Sequence, residues 1–176
     1  MTHDVDEPGK DADWNYNARH ETPMARLDRN WDDMLQELRV AQTGVQLLTG
    51  LLLTVPFQAR FDRLQPQEIV VYLVTVALAV LASGLLISPV VLHRVLFRQH
   101  ARRTLVSAGQ RFAIAGFFTL GLAVVGVCTL IFDVVLGATA GVVAAVVAFV
   151  VFAILWAVWP MALRRRVAEE EDEEEA

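Results

Sequence analysis

Few residues of this 176-residue chain have the types and spacing to do chemistry. Arg39, Gln42, Thr43, Gln46, Thr49 and Gly50 recur at overlapping i, i+3 and i+4 positions, which on a helix gathers their polar side chains into one stripe. No charge follows Arg39 until Arg60, so the stripe belongs to a membrane-spanning helix, where polar groups are expected to face the bundle interior. Two uses suit it: a lining for a polar pathway or ligand, or hydrogen bonding between helices, worth about 0.6 kcal/mol per bond. The second is favoured. His93 and His100 lie seven apart on one helical face and look like half a metal site, but no acid or Cys stands near them, so interfacial side chains are expected, with no metal and no cofactor. Cys128 is the single cysteine and lies in an apolar run, so neither an intramolecular disulfide nor a thiol redox motif is available. Without a nucleophile elbow, a Gly-rich phosphate loop or paired carboxylates in an apolar setting, the inventory argues against an enzyme.

The elements that must position these residues follow from how the charges are distributed. Hydrophobic residues make up 55% of the chain and charged residues 20%, and the two kinds are segregated along it. Residues 1–37 hold ten acids against four bases, and residues 169–175 are all acidic. Residues 38–168 hold three acids against eleven arginines. Within that middle part lie four uncharged runs, with spans expected at about 40–57, 69–92, 112–132 and 138–160. Each is close to the roughly 20 residues that a helix needs to cross about 30 Å of hydrocarbon. A central charge would cost about 2.5 to 3.5 kcal/mol on the insertion scale, and none is present. A soluble core is excluded because four such runs leave too little amphipathic sequence to cover them. The first run is the most diluted, by Gln42, Thr43, Gln46, Thr49 and Thr54. The acidic N-terminus lacks the features of a cleavable signal, so that span is expected to remain.

Arginines near span ends set orientation, because cytoplasmic segments retain them. Arg26, Arg29 and Arg39 precede span one, Arg94, Arg98, Arg102, Arg103 and Arg111 join spans two and three, and Arg164, Arg165 and Arg166 follow span four. Only Arg60 and Arg63 fall on the other side. Both termini and the central loop are therefore expected in the cytoplasm. Arg94, Arg98, Arg102 and Arg103 form a basic extension that attracts anionic headgroups by about 1 kcal/mol per residue. Nucleic acid is not the expected ligand, because the acidic tails oppose it.

Residues 1–21 read as a disordered acidic tail, and 167–176 as a second acidic tail. From Thr22 and Pro23 onward, Leu27, Trp31, Met34, Leu35 and Leu38 mark an amphipathic helix. It is expected to lie in the cytoplasmic interface with Trp31 at headgroup depth, or else to pack on the protein's own cytoplasmic face. Gln65, Pro66 and Glu68 signal the start of span two, and Pro89 predicts a kink near its end. Asp133 is expected to cap or solvate the short turn before span four. That span opens with Gly137, Gly141 and Ala145, a small-residue face for contact with span three or with another copy of the chain.

The stretch Arg26-Leu27-Asp28-Arg29-Asn30-Trp31, then Leu35 to Val40 and Gln42 to Gln46, followed by Pro56-Phe57-Gln58 and by His93-Arg94, Leu96-Phe97-Arg98 and His100, resembles a bacterial family of small four-span membrane proteins of unknown function. The likeness runs from about residue 26 to 166, and the preference for Arg over Lys, fourteen to one, agrees with a GC-rich bacterial genome. Some members of that family carry the label sodium:proton antiporter, and the resemblance implies no catalytic residues. Antiport needs a titratable group near the midplane, and these spans have none. The expectation is thus an all-α, four-helix membrane bundle of the bacterial cytoplasmic membrane. It is non-enzymatic and acts through lipid or protein contacts, as a possible homo-oligomer; a cation or proton transporter is the alternative.

Overall fold

The computed structural model describes residues 23–59, 61–96 and 102–165. Both acidic tails, Arg98 and His100 lie outside the described residues, as do the side chains of His93, Arg102 and Arg103. The described residues form four long helices: α1 (Pro23–Thr54), α2 (Pro66–Leu96), α3 (Arg102–Leu136) and α4 (Ala138–Ala153). A π-helical turn, Ile154–Val158, extends α4, and helix resumes to Arg165. Four segments are long and apolar enough to cross a membrane: Arg29–Phe57, Pro66–Leu92, Ser107–Leu136 and Ala138–Arg165. The expected all-α bundle of four spans is the observed architecture.

Heptad spacing explains how these apolar helices recognise one another. On α1 the buried residues Trp31, Leu38, Val45 and Leu52 stand seven apart, and on α2 Glu68, Tyr72, Thr75, Ala79, Ala82, Leu86 and Pro89 alternate steps of four and three. Gly109, Ala113, Gly116 and Ala123 continue the same rhythm on α3. That is the repeat of left-handed helix packing, with small residues on α2 and α3 letting the backbones come close. A Cβ on Gly116 would stand 2.8 Å from Leu86 Cγ, and one on Gly126 would collide with Thr75 Oγ1. The α2–α3 pair is the centre, α1 packs mainly on α2, and α4 packs on α3. Two core layers result, one around Leu38, Val45, Ala82, Leu86 and Ala113, the other around Leu52, Tyr72, Ala79 and Ala123.

One expectation is revised. In place of a helix that turns into span one, a single unbroken helix runs from Pro23 to Thr54, and of the two readings of its first part it is packing on the protein itself that the buried Trp31 agrees with. The cause is the buried seven-residue series, which continues through the amphipathic segment in phase with the span. Trp31 is buried against α3, its ring filling the space that the missing side chain of Gly109 leaves open.

Connections are short and capped. Between α1 and α2, Val55–Phe57 and Phe61–Arg63 are 3₁₀ turns, and the backbone N–H of Gln65 donates to Glu68 Oε2 at 2.6 Å. This is half of a capping box, with Pro66 at the first helical position as its sequence predicts. Helix α2 continues beyond Pro89. Only Gly137 separates α3 from α4, and its φ of 92° is a conformation that side chains disfavour. Its N–H donates to Asp133 O at 2.8 Å, which closes the end of α3.

Candidate functional site

The polar stripe of α1 divides into two halves. Gln42 and Thr49, seven apart, are half-buried and turn toward α2, whereas Arg39, Thr43, Gln46 and Gly50 are exposed. The expected inward stripe is therefore only partly inward, because Val45 and its heptad partners occupy the centre of the packed face.

Each inward group meets α2 at a chemically specific place. Gln42 Nε2 donates to the carbonyl of Leu86 at 2.7 Å. Three residues later stands Pro89, fully buried, whose missing N–H removes the helical donor of Leu85 O, the carbonyl next to the one that Gln42 reaches. The α-helical donor for Leu86 O would be Val90, which has its N–H, so Gln42 adds a bond between helices beside the proline and does not stand in for it. Thr49 Oγ1 bonds its own helix at Val45 O, 2.7 Å away, and lies 3.5 Å from Ser83 Oγ. Both inward residues thus bond a helix backbone.

A second bond from a side chain to the backbone of a neighbouring helix was not anticipated. Tyr72 Oη donates to Leu52 O at 2.9 Å, in the buried layer near the other end of α1. The α-helical donor for that carbonyl would be residue 56, which is Pro56. Phe61 holds the tyrosine edge-on, with ring centroids 5.6 Å apart. The signal was present in Pro56, but nothing in a single sequence pairs it with a tyrosine sixteen residues away.

The outward half differs. Thr43 Oγ1 closes onto Arg39 O at 3.0 Å, while the Gln46 amide has no hydrogen-bond partner among the described residues. A Cβ on Gly50 would meet nothing within 4 Å.

The remaining candidates are placed as follows. Arg94 and Arg111 are exposed at the facing ends of α2 and α3, and Arg164 and Arg165 are exposed at the end of the fourth span. Gly137 makes the turn, Gly141 is buried against Thr129 O and Asp133 of α3, and Ala145 is half-buried. Of this small-residue face, Gly141 has its partner within the chain. Further along, Trp156 lies over Gly121 and packs edge-on against Phe117 and Phe152, at 6.3 and 4.8 Å. It sits in the π-helical turn, whose wider spacing makes room ahead of Pro160. On the outside of α3 and α4 an open apolar groove of about 650 Å³ runs past Cys128, Phe132, Ala140 and Ala144.

No curated protein and no solved structure matches the chain. A family model described as a family of unknown function, DUF6328, matches residues 20–160, nearly the stretch from Arg26 onward that carries the sequence resemblance. That match takes in α1, α2, α3 and α4 together with the Gln42–Leu86 and Tyr72–Leu52 contacts, and on its extent the chain belongs to this family of unknown function.

Proposed function

We propose that the chain is a non-enzymatic integral protein of the bacterial cytoplasmic membrane, with both termini and the α2–α3 connection in the cytoplasm, acting through contacts with lipid headgroups and other proteins. The observation that carries this reading is the bond from Gln42 to Leu86 O. The inward amide of the first span is spent on the backbone of a neighbouring helix, as is the hydroxyl of Tyr72 on Leu52 O. Both contacts knit the bundle together, which is the work expected of polar groups in a protein whose surfaces, and not its interior, meet the partner. Exposed Arg94, Arg111, Arg164 and Arg165 support the orientation and suit anionic headgroups.

The rival reading is a cation or proton transporter, sodium:proton antiporter-like, for which the exposed Thr43 and Gln46 would be the polar contacts. Purified protein in liposomes under imposed Na⁺, K⁺ and pH gradients separates the two. Flat traces are expected. Exchange that disappears in the Gln42→Leu/Gln46→Leu variant, with the variant still folded, would overturn the proposal.

A further inference from the structure

The outer face of α1 presents a problem that its inner face does not have. Gln46 follows Arg39 by seven residues and precedes Phe57 by eleven, so by helical rise it sits about 10 Å past the last charge before the apolar run and about 16 Å from that run's other end. That is hydrocarbon depth, and its amide is exposed with no partner among the described residues. An unsatisfied amide in an apolar medium is costly, and lipid tails offer neither donor nor acceptor.

We propose that Thr43, Gln46 and Gly50 form the contact face for a second copy of this chain, two α1 helices crossing in parallel about a two-fold axis with Gln46 paired to its counterpart. This deepens the reading of a protein that acts through contacts, and rests on it. Three observations select a second copy as the occupant. A carboxamide carries a donor and an acceptor side by side and is its own complement. Copies inserted in the same direction bring position 46 to position 46 at the same depth, as an isologous interface requires. One turn further on, Gly50 has open space around its Cα, which lets two backbones approach.

The neighbouring residues fit the same arrangement. Thr43 satisfies its hydroxyl on Arg39 O and so needs nothing from the partner. Arg39 itself stands at the end of the apolar run, where its long stem carries the charge out to headgroups and water. The other exposed flank of α1, with Val40, Leu47 and Leu51, is fully apolar and suits lipid without assistance.

The test uses the full chain with Cys128→Ala, reconstituted in phosphatidylethanolamine and phosphatidylglycerol liposomes over a range of protein-to-lipid ratios. A Gly50→Cys variant is expected to form a disulfide-linked dimer under mild oxidation, and a Leu51→Cys variant to stay monomeric. Adding Gln46→Leu to Gly50→Cys removes two reciprocal hydrogen bonds, each worth about a threefold change, so association should weaken about tenfold. Three results would overturn the proposal: no dimer through Gly50→Cys at any ratio, an equal yield through Leu51→Cys, or a yield indifferent to Gln46→Leu. The flux assay reads the underlying function separately, since cation exchange removes that reading whatever the cross-linking shows.

Discussion

The hydroxyl of Tyr72 donates to the carbonyl of Leu52, 2.9 Å away, at the one position of that turn where Pro56 withholds the helical donor. One helix thereby completes the backbone of another. In hydrocarbon the alternative is an unpaired carbonyl, which gives this contact more weight than its length suggests.

Removing the donor is therefore expected to destabilise the bundle by about 1 kcal/mol in Tyr72→Phe. Adding Pro56→Ala restores an N–H to residue 56 and should recover part of that loss. Thermal melts of the two single variants and the double variant in detergent measure the coupling, and strict additivity would show that the tyrosine does not compensate for the proline.

The two glutamines of α1 are expected to part company. Gln42→Leu breaks the bond to Leu86 O and should lower stability by about 0.6 to 1.7 kcal/mol. Gln46→Leu touches no described contact within the chain and should leave the detergent melting temperature of the monomer unchanged. Equal losses in both variants would contradict the division of the stripe.

Close approach of α2 and α3 predicts a third contrast. Gly116→Ala places a methyl 2.8 Å from Leu86 Cγ, and overpacking of this kind costs about 1 to 3 kcal/mol. Gly84→Ala meets nothing within 4 Å and should be neutral or slightly stabilising. Melting both variants side by side under one detergent condition reads the difference.

Membrane orientation is open to labelling. In a Cys128→Ala background, Gln58→Cys in the α1–α2 connection should react with an impermeant thiol reagent in intact cells, and Asp33→Cys on α1 should react only after lysis. The reverse pattern would invert the topology.

Span number, the Pro66 helix start and the turn at Gly137 were legible in the sequence, because charge-free length and proline or glycine placement are one-dimensional signals. The facing of the α1 stripe was legible only in part. Its polar residues have helical spacing, but which flank turns inward is decided by Leu38, Val45 and Leu52, whose repeat of seven competes with the polar repeat on the same helix. Trp31 shows the same limit. An aromatic residue beside arginines suits headgroups, and only the gap at Gly109, nearly eighty residues away, makes it a packing residue. Tyr72 lay furthest from reach, since a proline announces a vacancy without naming what fills it.

Gly137 also constrains how the protein is made. With one residue between them, α3 and α4 have no slack to enter the bilayer one after the other as independent segments. They are expected to enter as one hairpin, so a charge placed in the middle of either is expected to hinder the insertion of both.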